Sequence, residues 1–181
     1  MKQIESPRFI VLTLLVIAAA LTRVLPLVIP HIWNFTAVGA LAIFAGAQFE
    51  NKRLAFIMPL AAMAVSDIFL GNGFSLLVYG GFIAMVLCGF LIRNKVNTIN
   101  VILASFISAS VFYLITNFAI FYPIAVYPHN FSGIIASYTA AMPFFRNMLV
   151  GNLAYSAVLF GSFYLLSKRY PVLAKAYHKT F

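Results

Sequence analysis

Six runs of apolar residues follow one another along the chain of 181 residues, and short polar stretches separate them. A helix needs about 20 predominantly apolar residues to cross the hydrocarbon core of a bilayer. The pattern therefore predicts an all-α protein, in which a single domain over residues 1–181 holds six transmembrane helices. The predicted spans are residues 9–28, 35–49, 54–70, 76–92, 99–121 and 143–167.

Two stretches depart from this regular pattern. A seventh apolar piece, at residues 131–142, is too short to span a bilayer, and Pro143 follows it directly. Because proline is tolerated at the start of a helix but disrupts its interior, we expect a short re-entrant or interfacial helix here, separate from the last span. The second run is rich in small residues. Its Ala42 and Gly46 have the spacing at which two helix backbones approach each other closely.

The composition agrees with a membrane location. Hydrophobic residues make up 64% of the chain and charged residues only 8%, whereas soluble domains carry about a quarter charged residues. The net charge of +9 would also fit a nucleic-acid partner. However, the basic residues come in small clusters between the apolar runs, which favours contact with the lipid bilayer and argues against nucleic acid.

The basic clusters also predict an orientation. If the N-terminus is cytoplasmic, all but two of the twelve lysines and arginines fall on the cytoplasmic side, as the positive-inside rule requires. Both termini are then cytoplasmic. Arg23 and Arg146 are the two exceptions, and they lie on the outer side together with the longest connections.

Candidate chemistry is concentrated at this outer end. Asp67 lies at the end of an apolar run, and an ionised acid within hydrocarbon costs about 2.5–3.5 kcal/mol, so we expect it to pair with Arg146 or Arg23. Arg146, Asn147 and Asn152 descend the last helix and would line a polar pocket. The alternatives are an acid at the headgroup level, an arginine that reaches the lipid headgroups, and asparagines that bond neighbouring helices.

The sequence thus predicts a ligand pocket at the outer face. In this hypothesis Asp67, Arg146 and Asn152 form its floor, while 71–75 and 122–142 form its cover. Trp33 and Tyr138 would supply stacking surfaces, or would belong to an aromatic belt at the membrane surface. The full candidate set is Trp33, Asn34, Asp67, Tyr79, Asn117, Tyr138, Arg146, Asn147 and Asn152.

Motifs for catalysis are missing from the sequence. It contains no phosphate-binding G-x-x-x-x-G-K-[ST] loop, no H-E-x-x-H and no G-x-S-x-G turn. An intramembrane aspartyl protease needs two acids in one site, and only Asp67 is available within the apolar runs. His31 and His129 could share a metal ion, but nothing in the sequence fixes the distance between them. We therefore expect a protein that is not an enzyme and that uses no metal or cofactor.

Two stretches carry a resemblance to a known family: NFTAVGALAIFAGAQFENKRLAFIMPLAAMAVSDIFLG and YPHNFSGIIASYTAAMPFFRNMLVGNLAYSAVLFG. From about residue 20 to 167 the chain resembles uncharacterised six-span bacterial membrane proteins, a family described as a domain of unknown function. These proteins in turn resemble the S components of energy-coupling factor (ECF) vitamin transporters. The first helix lacks the Ala-x-x-x-Ala spacing with which S components commonly dock.

The resemblance implies a multi-pass protein of the bacterial cytoplasmic membrane that captures a small nutrient, such as a vitamin, at its outer face. An ECF-type coupling subunit with ATPases would be its partner. Two alternatives remain open from the residues themselves. One is a structural or accessory membrane protein without a ligand, and the other is a small proton-coupled carrier that uses Asp67.

Overall fold

The computed structural model describes residues 6–24, 29 and 34–173. Within these residues all regular structure is helical, which confirms the predicted all-α fold class. Three short 3₁₀ turns, Thr22–Val24, Ala119–Phe121 and Pro171–Leu173, accompany the α-helices. The six α-helices are α1 (Pro7–Leu21), α2 (Val38–Gln48), α3 (Lys52–Leu70), α4 (Leu76–Leu91), α5 (Thr98–Thr116) and α6 (Phe131–Arg169).

Short polar side chains fix where most of these helices begin. A capping oxygen accepts a hydrogen bond from a backbone N–H of the first turn, which would otherwise lack a partner. At the other end of α3, Gly71 adopts a left-handed conformation with φ +69°, which glycine tolerates without steric cost. The residues that cap in this way are Ser6 for α1, Asn51 for α3, Ser75 for α4, Asn97 for α5 and Asn130 for α6.

Helix α2 lies at the centre of the bundle. All 11 of its residues are buried, and α1, α3, α4, α5 and α6 pack around it. A helix that is apolar on every side is stable only when it is surrounded in this way. At 1.5 Å per residue α2 is about 16 Å long, roughly half the thickness of a hydrocarbon core. Its two ends therefore lie inside the bundle.

Helices α2 and α4 are in backbone contact. A Cβ atom at Gly46 would overlap with the carbonyl oxygen of Val86, and one at Gly89 would overlap with the carbonyl oxygen of Ile43. The close approach predicted from Ala42 and Gly46 is therefore confirmed at Gly46. Small residues permit this contact because any side chain would hold the two helices apart.

Two arginines complete the C-terminal end of α2. Arg8 is buried and donates hydrogen bonds to the carbonyl oxygen of Gln48 at 2.9 Å and to its side-chain Oε1 at 3.1 Å. Arg93 donates to the carbonyl oxygens of Phe49 and Glu50. The last carbonyls of a helix carry partial negative charge, so these cations both satisfy and stabilise that end.

The prediction of a separate short helix at residues 131–142 is wrong. This segment forms the first turns of α6, which continues through Pro143 to Arg169 as one helix of 39 residues. Proline removes a single backbone hydrogen bond, and a long helix packed against its neighbours can continue past that loss. At 1.5 Å per residue α6 is about 58 Å long, more than a hydrocarbon core requires.

Three helices of the described residues, α3, α5 and α6, are long and apolar enough to cross a membrane. The other three, α1, α2 and α4, are apolar but contain only 15, 11 and 16 residues. A membrane location is therefore supported for part of the bundle by length and composition.

Candidate functional site

A cavity of about 630 Å³ lies at one end of the bundle. It is bounded by the 3₁₀ turn after α1, the first turn of α2, the end of α3, the start of α4, the end of α5 and the middle of α6. Exposed residues such as Asn34 and Asn72 line its mouth, whereas buried residues such as Met148 and Asn152 line its depth. The position follows from α2, because this helix is too short to fill the bundle along its whole length.

The walls of the cavity are largely aromatic. Phe82 of α4 and Phe112 of α5 lie against each other with ring centroids 5.0 Å apart. Tyr113 of α5 and Phe145 of α6 form a second pair at 4.7 Å. These rings offer an apolar surface on which a flat or hydrophobic ligand can pack.

Asn152 supplies the polar group in the depth of the cavity. It is 1% exposed, and among the described residues neither its Oδ1 nor its Nδ2 has a hydrogen-bond partner. The side chain lies directly over Gly39 of α2, where a Cβ atom would overlap with Asn152 Oδ1. An unsatisfied buried amide costs about 1–3 kcal/mol, so a fold that keeps one requires an explanation.

The first turn of α2 meets the cavity beside Asn152. Its capping residue Ala37 has no side chain that could accept a hydrogen bond from the first turn. The backbone N–H of Ala37 itself donates to Thr22 Oγ1 at 2.8 Å. Val38 and Gly39, the first two helical residues, both line the cavity. The first-turn N–H groups have no intrahelical partner, and in the described part of the chain the capping residue supplies none.

Arg23 and Asp67 form an ion pair at the side of the cavity. Their closest atoms, Arg23 Nη2 and Asp67 Oδ1, are 2.6 Å apart, which confirms the predicted pairing of Asp67 with one of the two outer arginines. Arg23 Nη1 also donates to Ser66 Oγ at 2.6 Å and to the carbonyl oxygen of Met63 at 3.0 Å. Tyr79 donates its hydroxyl to Asp67 Oδ2 at 2.9 Å. The charge of Arg23 is therefore balanced within this cluster.

Two polar side chains toward the mouth, those of Tyr122 and Asn117, donate to backbone carbonyls at the end of α5. Tyr122 donates its hydroxyl to the carbonyl oxygen of Thr116 at 3.0 Å, and Asn117 Nδ2 donates to the carbonyl oxygen of Tyr113 at 2.9 Å. Burial, and next the neighbouring Tyr127, raise the pKa of Tyr122, so its hydroxyl stays protonated at neutral pH. These groups are already occupied in holding the end of α5.

Of the nine residues predicted for the pocket, the cavity is lined by Asn34, Asn117 and Asn152. Asp67 and Tyr79 do not line the cavity themselves. Asp67 pairs with Arg23, which does line it, and Tyr79 bonds Asp67 from behind. Trp33 lies outside the described residues.

The remaining three predicted residues do not line the cavity. Tyr138 joins α6 to α5, because it donates its hydroxyl to the carbonyl oxygen of Leu114 at 2.9 Å and accepts a bond from Tyr113 at 2.6 Å. Arg146 is exposed, and Asn147 is half-buried away from the cavity. The expected floor of Asp67, Arg146 and Asn152 is thus corrected to Asn152 alone, with Arg23 at its side.

The geometry of α6 explains this correction. Phe145, Met148 and Asn152 are spaced three and four residues apart, so they share one helical face, and that face lines the cavity. Arg146 is rotated by about 100° around the helix axis from Phe145 and points away from the cavity. The helical spacing of Phe145 and Met148 with Asn152 would have predicted this face, but Arg146 and Asn147 suggested a different one.

The two segments predicted to form the cover differ in how much of the cavity they line. From 71–75, Asn72 and Ser75 contribute, whereas 122–142 contributes only Tyr122 to the mouth. Sequence reasoning missed Gly39, because its role depends on where Asn152 falls on a distant helix. Across the described residues, no three His, Cys, Asp or Glu side chains lie close enough together to hold a metal ion.

Fold and cavity together define a class: a helical protein with membrane-length helices and a cavity at one end that is aromatic in its walls and polar in its depth. Within that class, the chain belongs to DUF6580, a family of unknown function whose model matches residues 3–173. This confirms the resemblance to an uncharacterised family. No curated protein and no solved structure matches the chain.

Proposed function

We propose that this protein captures a small nutrient, such as a vitamin, at the outer face of the bacterial cytoplasmic membrane. The observation that carries the proposal is the cavity of about 630 Å³ with an unpartnered, buried Asn152 in its depth. Ligand cavities typically measure about 300–1,000 Å³ and combine apolar walls with a few well-placed polar groups. An unsatisfied amide is costly to keep in a buried position, which favours a functional reason for its presence beside the cavity.

The basic residues support an outward-facing cavity. Lys52 and Arg53 begin α3, whereas Leu70, at its other end, lines the cavity. Lys168 and Arg169 end α6, well beyond its cavity-lining part. Under the positive-inside rule, the basic end is cytoplasmic and the cavity opens outward. In this proposal all six helices are embedded in the membrane, and both termini are cytoplasmic.

The ion pair of Asp67 favours capture over proton-coupled transport. Its carboxylate contacts Arg23 at 2.6 Å and accepts a hydrogen bond from Tyr79, so its contacts are those of a structural anchor. A capture protein of this kind would depend on a partner for the energy of uptake. An ECF-type coupling subunit with its ATPases is the partner we propose, by analogy with S components. A structural or accessory role without a ligand is the competing proposal.

A matched pair of variants tests the capture function. Val78 lines the cavity, whereas Val150 lies on an exposed surface of α6 away from it. Val78→Trp should reduce the space for a ligand, and Val150→Trp adds the same ring elsewhere. The assay is thermal unfolding of the purified protein in detergent against a panel of water-soluble vitamins and other small nutrients.

At least one compound should raise the unfolding temperature of the wild type and of Val150→Trp but not of Val78→Trp, because only a folded protein with an open cavity binds it. If every compound leaves the wild type unchanged, or stabilises both variants equally, the structural or accessory role takes the place of capture.

A further inference from the structure

We propose that the ligand of this cavity is a small organic monoanion with an apolar body, whose carboxylate lies at the first turn of α2, next to the Nδ2 group of Asn152. The inference rests on the proposed capture function and adds the chemical class of the ligand. Three independent features of the described residues carry it: the uncapped N-terminus of α2, the unpartnered amide and the charge balance of the walls.

The two ends of α2 differ in how their backbone groups are satisfied. At the C-terminal end, Arg8 and Arg93 bond the last carbonyls. At the N-terminal end, Ala37 offers no capping side chain, although each of the other five α-helices has one. A helix N-terminus carries about half a positive charge and presents free N–H groups, which makes it a binding site for anions.

Asn152 provides a second, independent observation at the same place. Its amide is buried, has no hydrogen-bond partner and lies over Gly39, within the first turn of α2. Because Gly39 has no side chain, Asn152 Oδ1 packs directly against the first turn of α2, and Nδ2 is the amide group left to donate to a ligand. The Nδ2 group can donate to one carboxylate oxygen while the helix N–H groups donate to the carboxylate as well.

The charge of the cavity selects a single negative charge. Arg23 is the one charged side chain among the described lining residues, and Asp67 balances it at 2.6 Å. The remaining positive potential is that of the α2 N-terminus, which is about half a unit charge. A monoanion matches this potential, a dianion would exceed it, and a cation would be repelled. The aromatic rings of Phe82 and Phe112 then pack against the apolar body.

Three compounds of nearly the same shape test the charge preference. Benzoate, benzamide and benzylammonium differ mainly in the charge and hydrogen-bonding of one group. Thermal unfolding and direct titration of the purified protein in detergent would be measured with each. The variants are Asn152→Asp, which adds a like charge where the carboxylate should lie, and Asn130→Asp, which adds the same charge at a helix cap outside the cavity.

Benzoate should bind more tightly than the other two compounds. Its affinity should fall by about 10- to 100-fold in Asn152→Asp and stay unchanged in Asn130→Asp, in line with the value of a hydrogen bond to a charged group. Tighter binding of benzamide or benzylammonium overturns the inference but leaves the capture function standing.

Native mass spectrometry of the same preparations decides the case in which none of the three compounds binds. A retained small molecule with an acidic group, lost in Asn152→Asp, supports the inference. A retained neutral or basic molecule overturns it and supports capture, whereas no retained molecule in any preparation overturns both. A phospholipid has the same acidic chemistry, and its mass identifies it. If it is retained equally by wild type and variant, it counts as a lipid bound outside the cavity and not as the ligand.

Discussion

Asp67→Asn isolates the charge of the ion pair beside the cavity. The substitution keeps the shape of the side chain and an oxygen that can accept the hydrogen bond of Tyr79. It removes the negative charge opposite Arg23. The side chain of Asp67 is only 9% exposed and that of Arg23 only 17%, so water can do little to replace the lost partner. The variant therefore leaves a cation largely buried without a counter-charge.

The expected cost can be worked out from the contacts that survive. Breaking a buried ion pair by removing one partner costs about 3–5 kcal/mol. Arg23 keeps its bonds to the carbonyl oxygen of Met63 at 3.0 Å and to Ser66 Oγ at 2.6 Å, which lowers that cost. We expect Asp67→Asn to reduce the free energy of unfolding by about 2–3 kcal/mol.

Glu50→Gln is the matched control, because it also converts an acid to its amide. Its ion pair with Arg8 has a separation of 4.0 Å, and the Glu50 side chain is 40% exposed, so its loss should cost less than about 1 kcal/mol. Both variants would be unfolded reversibly in detergent, together with Arg23→Gln and the double variant with Asp67→Asn. If Asp67→Asn is as mild as Glu50→Gln, or if the double-mutant cycle shows no coupling, the reasoning is refuted.

Three further predictions follow from the packing and the charge pattern. Gly89→Ala should lower the free energy of unfolding by about 1–3 kcal/mol, because a Cβ there meets a backbone carbonyl of α2; Gly80→Ala in the same helix meets nothing within 4 Å, and an equal loss there would contradict the explanation. Arg8→Met should cost about 2–4 kcal/mol in unfolding experiments because it leaves the buried carbonyls of Gln48 and Leu173 unsatisfied, and a neutral result would contradict that role. In intact cells, an impermeant thiol reagent should label single cysteines at 122–130 and not at 50–53, and the reverse pattern would reject the orientation.

Much of the fold could be predicted from the sequence. The apolar runs indicated the helices, because lipid and core packing both demand continuous apolar segments. An Asn-Phe-Ser/Thr pattern favours a helix N-cap, and Asn130 in this pattern accepts a hydrogen bond from the N–H of Gly133 at 3.0 Å. Asn34 shares the same local sequence pattern, yet it adopts φ +65° and Ala37 precedes α2 in its place. Local pattern could not distinguish these cases because packing of distant helices sets the backbone near Asn34.

The candidate site was less predictable. Asn152 was identified because a polar residue deep in an apolar helix requires a reason. Arg146 was assigned to the pocket because of its charge, without regard to its position around the helix axis. Which face of α6 meets the cavity depends on how α6 packs against α5. Gly39 could not be found because its function exists only through the side chain of Asn152 above it.

The central claim is that the buried amide of Asn152 is kept for a ligand, and the stability of Asn152→Leu in ligand-free protein tests it most directly. Leucine has the same branched shape, with two methyl groups in place of the amide oxygen and nitrogen, and it needs no hydrogen-bond partner. We therefore predict that this variant is as stable as the wild type or more stable, by up to about 2 kcal/mol, and that it no longer gains stability from any compound that binds the wild type. A loss of about 2 kcal/mol or more in the ligand-free protein would show that Asn152 holds the fold together, and it would contradict the account.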